Sequence, residues 1–191
     1  MSENEALEIV KQELKPPRYA HTLRVVEESE TLAKRFGANV EKAREAAIWH
    51  DYAKYRSLEE MTKIVYETDI DDSFAEIGGE LLHAPVGSYL VKTEQGICDE
   101  DVLKAIRSHT TGRKDMSLLE KVVFLADYIE PGRSFPGLQA VREEAERDLD
   151  EACLLSIKNT ITFLVNKQQP IHPDTFHAYN DFALRKLKGR N

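Results

Sequence analysis

The sequence predicts an all-α fold, and three observations carry that reading. Apolar residues recur every three to four positions along successive segments of the 191-residue chain, Leu7-Val10-Leu14 and Leu119-Val122-Val123-Ala126-Ile129 among them, the spacing that lines one face of a helix. Serine followed three residues later by glutamate, at Ser2/Glu5, Ser57/Glu60 and Ser117/Glu120, is the capping-box pattern that opens helices. No stretch alternates polar and apolar residues as a half-buried strand would.

The first helix follows Ser2 and is stopped by Pro16-Pro17. Pro17 suits the first turn of a second helix, which carries Tyr19, Leu23, Val26, Ala33 and Phe36 on one side, Arg18 and His21 in its first turn, and Gly37 as its stop. Asn39 caps a third helix, Val40 to Tyr52, whose Ala43, Ala46 and Ala47 permit close packing and which delivers His50-Asp51 near its end. Ser57 and Glu60 open a short helix through Met61, Ile64 and Val65. The acidic run Asp69-Ile70-Asp71-Asp72 lacks the glycine and terminal glutamate of a calcium loop and reads as a solvated loop.

Pro85 fits a helix's first turn, so His83 stands at the entrance of a helix running to Gln95, where free amides favour an anion. Asp99 caps the next helix, which ends at His109 and is followed by Thr110-Thr111-Gly112-Arg113, a run suited either to phosphate or to a plain turn. Asp127 lies within the mostly apolar helix that Ser117 opens, and a carboxylate in that setting calls for a metal or an arginine. Pro131-Gly132 breaks the helix and leaves Glu130 and Arg133 in the loop beside Asp127. Arg142 to Arg147 read as a solvated helix face. Asp148 and Glu151 start a long helix with Ala152, Cys153, Ser156, Ile157, Thr160, Ile161 and Leu164 as its core stripe. A rigid two-proline loop, Pro170-Ile171-His172-Pro173-Asp174-Thr175, leads to a last helix bearing Phe176, Tyr179, Phe182 and Leu187.

The length suits one domain with a sizeable core. Hydrophobic content of 41% with 31% charged residues is that of an ordinary soluble protein. No apolar run is long enough to span a membrane, and Met1-Ser2-Glu3-Asn4-Glu5 has no signal-peptide character. The expected location is cytoplasmic. Cys98 and Cys153 stand alone, without Cys-x-x-Cys spacing, and read as one loop thiol and one core thiol. A net charge of −8 speaks against nucleic-acid binding, and a phosphate substrate therefore needs local cations from metal or arginine.

His21, His50, Asp51, His83, His109 and Asp127 all fall on predicted helices or helix ends, which in a bundle converge in the core. Imidazole and carboxylate together suit iron, manganese or zinc rather than magnesium or calcium. Such a centre polarises phosphoryl oxygens and provides hydroxide at neutral pH, which suits hydrolysis of a phosphoester or phosphoanhydride.

The order His21, His50-Asp51, Asp127 resembles the H…HD…D signature of the HD-domain metal-dependent phosphohydrolases, a helical superfamily. The resemblance is closer to its YqeK-like branch, the bacterial symmetrical diadenosine tetraphosphate hydrolases. It runs through Arg18-Tyr19-Ala20-His21-Thr22-Leu23-Arg24-Val25, His50-Asp51-Tyr52-Ala53-Lys54, Leu82-His83-Ala84-Pro85-Val86-Gly87, His109-Thr110-Thr111-Gly112, Ala126-Asp127-Tyr128-Ile129-Glu130-Pro131-Gly132-Arg133 and Ile171-His172-Pro173-Asp174-Thr175.

The resemblance implies one HD domain over residues 1–191, with signature blocks in 18–133 and C-terminal helices in 138–187 completing the core and the nucleotide site. It implies cleavage of diadenosine tetraphosphate into two ADP, with iron as the metal and manganese or another transition metal as the alternative. His21, His50, Asp51 and Asp127 would hold the first ion. His83 and His109 would hold a second ion, with Asp51 bridging, or bind phosphate as imidazolium, the latter slightly favoured because a site of two histidines has few ligands of its own. Asp51, His83 and His109 would act in catalysis. Arg18, His21, His83, His109, Asp127 and Arg133 would meet phosphate, and Pro170 to Thr175 the ribose or base. A homodimer is allowed. Two rivals stay open: a nucleotidase acting on mononucleotides, and a catalytically silent nucleotide sensor.

Overall fold

The computed structural model describes residues 1–189, and every regular element among them is helical. α1 (Glu3–Glu13) opens on the capping box in which Ser2 and Glu5 satisfy each other's backbone N–H groups. α2 (Pro16–Phe36) starts on its proline pair and stops at Gly37, whose φ of 79° lies in the left-handed region that a helix C-terminus reserves for glycine. α3 (Val40–Trp49), capped by the Asn39 side chain, ends at Trp49 rather than Tyr52, and residues 50–55 form turns instead. α4 (Leu58–Glu67) and α5 (Ser73–Ile77) lead through a 3-10 turn, Gly79–Leu81, into α6 (His83–Gln95).

α7 (Glu100–Ser108) starts from Asp99, whose carboxylate accepts from the amides of Asp101 and Val102. α8 (Leu118–Ile129) begins on the Ser117/Glu120 capping box. α9 (Leu138–Ala145), α10 (Leu149–Asn166) and α11 (Pro173–Gly189) complete the chain.

α2 packs on α3 and α8, and α7 packs on α3, α6 and α8, so these helices surround one interior. Its walls include Val25, Leu32, Ala43, Ala46, Ala47, Ile106, Val122 and Leu125, all fully buried. The alanines of α3 let α2 approach closely, as their size suggested. α10 joins α8, α9 and α11 to the same core through Leu149, Ala152, Cys153 and Ile157. Burial pushes the Cys153 thiol up, while Cys98 is exposed, so the expected division into one core and one loop thiol holds.

Several faces differ from their sequence reading. α2 buries His21, Val25, Ser29 and Leu32 and turns Leu23 outward, because the face that meets α8 is the one carrying His21. Ser57 accepts from the Glu60 amide, but the Glu60 carboxylate pairs with Arg56 instead of returning to the cap. α5 had no counterpart in the expected elements. The core stripe of α10 ends at Ile157, and α11 buries Thr175, Ala178 and Phe182 while exposing Phe176 and Leu187. Arg142, expected in solvent, donates to the carbonyls of Ile129, Glu130 and Arg133, groups that the end of α8 leaves without helical donors.

Leu32 has no exposed surface. Leu32→Ala should lower unfolding free energy by about 2–5 kcal/mol in urea denaturation, and a loss under about 1 kcal/mol would show that α2 is not packed as described.

Candidate metal centre

Three histidines are fixed by one device. His50 follows the last residue of α3, and its Nδ1 donates to the Ala47 carbonyl at 2.6 Å. His109 stands at the same position after α7 and donates from Nδ1 to the Ile106 carbonyl at 2.7 Å. His83, entering α6 from the 3-10 turn, donates to the Glu80 carbonyl at 2.6 Å. Each ring thus bonds a carbonyl three residues back, at a helix or turn end where carbonyls lack their usual helical donors. His21, inside α2, donates from Nδ1 to Glu130 Oε1 at 3.0 Å. With Nδ1 turned to these acceptors, all four rings direct Nε2 inward.

Those nitrogens meet two carboxylates. His50 Nε2 lies 3.0 Å from Asp51 Oδ2, and His21 Nε2 lies 3.0 Å from Asp127 Oδ1 and 3.8 Å from Asp51 Oδ2. On the other side of Asp51, Oδ1 lies 3.1 Å from His83 Nε2 and 3.9 Å from His109 Nε2. Two triads, His21-His50-Asp51 and Asp51-His83-His109, each place their ligand atoms within 4.8 Å of one another, and they share the Asp51 carboxylate. Asp127 closes the first triad from α8.

Several polar atoms at this point make no hydrogen bond inside the chain, although the Arg18 guanidinium closes on Asp51 Oδ2 as an ion pair. His21 Nε2, His50 Nε2 and both Asp51 carboxylate oxygens are buried and make no hydrogen bond, a state costing about 1–3 kcal/mol per group. Donor type, burial and lack of partners all fit a transition metal. Burial works to raise the Asp51 carboxyl, but His50 and His83 outweigh it and hold it well below the usual carboxylate range. Asp127 is likewise held low against its burial by His21, Arg133 and His50. Burial and the neighbouring imidazoles of His50 and His83 push His109 down to about 3, so it is neutral at physiological pH.

Glu130 was placed only in the loop beside Asp127 by its sequence position, yet its side chain is buried at the end of α8. It accepts from His21, from Arg24 Nε at 2.5 Å and from the Gly132 amide at 2.5 Å. Against its burial, these donors lower its pKa to about 2. A Cβ at Gly132 would meet the Arg24 guanidinium, which would have to shift from its place against Glu130. A histidine ligand whose outer nitrogen donates to a carboxylate is the recurring support for a bound metal, and a glutamate three residues after Asp127 and three before Arg133 was the signal available.

A family model for the HD domain matches residues 18–132. The chain belongs to the HD-domain family. Among curated relatives, symmetrical bis(5'-nucleosyl)-tetraphosphatases of Halalkalibacterium halodurans and Bacillus subtilis are each 53% identical, over 97% and 94% of this chain and 100% and 97% of their own lengths. The crystal structure of an HD superfamily hydrolase from Clostridium acetobutylicum superposes with a TM-score of 0.92 at 40% identity, covering 97% of this chain and 98% of that one. No helix among the described residues is long and apolar enough to cross a membrane.

Over the HD-domain centre lies a cleft of about 320 Å³, lined among others by Arg18, Lys54, His83, His109, Asp127 and Arg133. Arg18 closes on Asp51 from α2, and Arg133 donates to Asp127 through Nε to the carbonyl at 2.6 Å and Nη2 to Oδ1 at 2.7 Å. Thr110 also lines the cleft, with a buried hydroxyl that has no partner. Arg113 is not brought there, because Nε and Nη2 grip the buried Glu120 carboxylate, each at 2.6 Å. Lys54, four residues after His50, reaches the cleft mouth and pairs with the exposed Glu80.

The loop from Pro170 to Thr175 contributes no side chain to that lining. Its His172 is stacked on Phe74, contacts Ser73 Oγ from Nε2, and accepts from the Asp174 amide at Nδ1. Thr175 donates to the Thr111 carbonyl, which ties the loop to the segment after His109. Both side chains therefore serve the fold, leaving Pro170, Ile171, Pro173 and Asp174 as its outward groups.

Glu130→Gln should weaken divalent-metal binding by roughly 10- to 100-fold in calorimetric titration with cooperative thermal unfolding retained, whereas unchanged affinity would remove Glu130 from the support of His21.

Proposed function

We propose that this HD-domain chain is a metal-dependent phosphoanhydride hydrolase that cleaves diadenosine tetraphosphate symmetrically into two ADP. The observation that carries the reading is a pair of metal-capable triads sharing Asp51 at the floor of a cleft lined by Arg18, Lys54 and Arg133. The names of the 53% identical relatives support the choice of substrate.

His21, His50, Asp51 and Asp127 are the ligands of a first ion, iron in this reading with manganese as the alternative. His83 and His109 are read as ligands of a second ion rather than as imidazolium contacts to phosphate. Their Nε2 atoms lie 3.1 Å apart, and both Nδ1 protons are already given to carbonyls. With both Nδ1 protons so placed, the two Nε2 atoms face each other beside Asp51 Oδ1, an arrangement that a bound cation or a shared proton stabilises, and this reading takes the cation. When bound, the metal supplies Lewis acidity toward phosphoryl oxygen and toward water.

The chain's own residues bind and orient the phosphates. Each arginine holds one centre carboxylate through part of its guanidinium and lines the cleft with the rest, a planar fork suited to bidentate phosphate contact. Together with Lys54 they give the cleft a positive wall within a chain of net charge −8. Thr110 can donate its free hydroxyl to a phosphate oxygen. The outward groups of the Pro170 to Thr175 loop are read as bordering ribose or base, and the proposed setting is the cytoplasmic nucleotide pool.

Anaerobically purified protein incubated with diadenosine tetraphosphate should yield ADP as the sole chromatographic product. Equal ATP and AMP would contradict symmetrical cleavage, and release of free phosphate would favour a nucleotidase. Loss of a charge-assisted contact worth about 1.5–3 kcal/mol means that Arg133→Ala should lower kcat/KM by roughly 10- to 100-fold, with Arg133→Lys recovering only part. An unchanged kcat/KM would return Arg133 to a purely structural role.

A further inference from the structure

Among the described residues, the cleft over the centre carries one carboxylate besides Asp127, that of Glu80 at its mouth. Glu80 is the middle residue of the 3-10 turn Gly79–Leu81, which the chain enters through Gly78 and Gly79 at φ of 67° and 60°, a backbone that residues other than glycine rarely adopt. The residue is divided between two tasks. Its carbonyl accepts the Nδ1 proton of His83, while its side chain, largely exposed, crosses the mouth to Lys54.

That pairing runs against the rest of the cleft. Arg18, Lys54 and Arg133 make the wall positive, and Glu80 cancels part of the charge that Lys54 brings. Lys54 holds the Glu80 carboxyl below its ordinary value and Arg18 adds to the effect, so the carboxylate is ionised at neutral pH and lies within the field of the cations that face phosphate. An exposed pair of this kind adds little to stability. Its larger consequence is electrostatic, since every anion that enters the cleft meets a fixed negative charge beside Lys54.

The penalty grows with the charge of the phosphate that comes nearest, because Coulomb energy is proportional to charge. A phosphate inside a dinucleoside polyphosphate is bonded through oxygen on both sides and carries one negative charge, whereas the terminal phosphate of ADP is free on one side and approaches two near neutral pH. We propose that Glu80 is a specificity-determining residue whose carboxylate disfavours ligands ending in a free phosphate relative to those capped by a nucleoside at both ends. The inference rests on the hydrolase reading, in which ADP is the product. The same charge then weakens retention of product while costing the substrate less.

Glu80→Gln removes the charge and keeps the carbonyl that holds His83. Metal-loaded wild-type and variant proteins are titrated calorimetrically with ADP and with diadenosine diphosphate, which has the same two phosphates and no free end. Titrations run in about 0.1 M and about 1 M KCl, between which the screening length falls from about 10 Å to about 3 Å. Removing a unit charge a few ångströms away in a water-like medium is worth roughly 2- to 3-fold in Kd for each charge on the ligand. In the lower salt the variant should therefore bind diadenosine diphosphate about 2- to 3-fold and ADP about 4- to 10-fold more tightly than wild type. In the higher salt both gains should fall below about 2-fold, and metal affinity and thermal unfolding should match wild type throughout. During turnover of diadenosine tetraphosphate, ADP should inhibit the variant at correspondingly lower concentration. Unchanged ADP affinity would overturn the proposal, as would equal gains for the two ligands or an ADP gain that persists in high salt, which would mark a contact rather than a charge. If wild-type protein leaves diadenosine tetraphosphate uncleaved, the hydrolase reading fails, while the two titrations still decide whether Glu80 discriminates between free and capped phosphates.

Discussion

Everything at the centre depends on imidazole N–H groups bonded to backbone carbonyls at helix and turn ends, where the usual helical donors are missing. At His50, His83 and His109 the bond spans three residues and fixes both tautomer and ring direction without recruiting another side chain. His21, in the body of a helix whose carbonyls are already taken, cannot use the device and needs a carboxylate from α8 instead. The same interaction therefore ends the elements and aims the rings. A shift of α3 or α7 by one residue would break both functions together.

Buried charge is the cost of this arrangement, and its balance explains much of the surrounding structure. Asp51 and Asp127 face four imidazoles and are each met by an arginine from a different part of the chain. Glu130 adds a third carboxylate, answered by Arg24, the Gly132 amide and His21, while Arg142 holds the carbonyls of the turn that carries it. Breaking a buried pair of this kind by deleting one partner is strongly destabilising. The loop after α8 is thus stabilised by the same network that orients His21, and its Gly132 lets the Arg24 guanidinium lie close to the backbone.

The element order was largely legible because capping residues act locally: Ser2, Asn39, Asp99, Ser117 and Asp148 each do in the structure what their type and spacing imply. Helix faces were less legible. On α2 and α11 apolar residues occur on more than one side, and which side is buried is decided by partner helices that periodicity does not reveal. The convergence of His21, His50, Asp51, His83, His109 and Asp127 could be anticipated from residue type and signature order, and two groups sharing Asp51 were one of the two arrangements left open there; the ring directions that bear on the choice come only from the fold. Glu130, Arg142 and Lys54 were given no part in the site because a charged residue near a helix end is usually solvated, and only tertiary contact distinguishes a clamp from a surface group. Arg113 was ambiguous for the same reason, and Glu120 decided it.

Anomalous diffraction from anaerobically grown crystals, recorded across the iron and manganese absorption edges, tests the arrangement most directly. The account predicts a peak bounded by the Nε2 atoms of His21 and His50 together with Asp51 and Asp127, and a second beside His83 and His109 on the far side of Asp51. Rings that present Nδ1 to the metal, or a metal bound elsewhere while these six side chains pair only with one another, would contradict it.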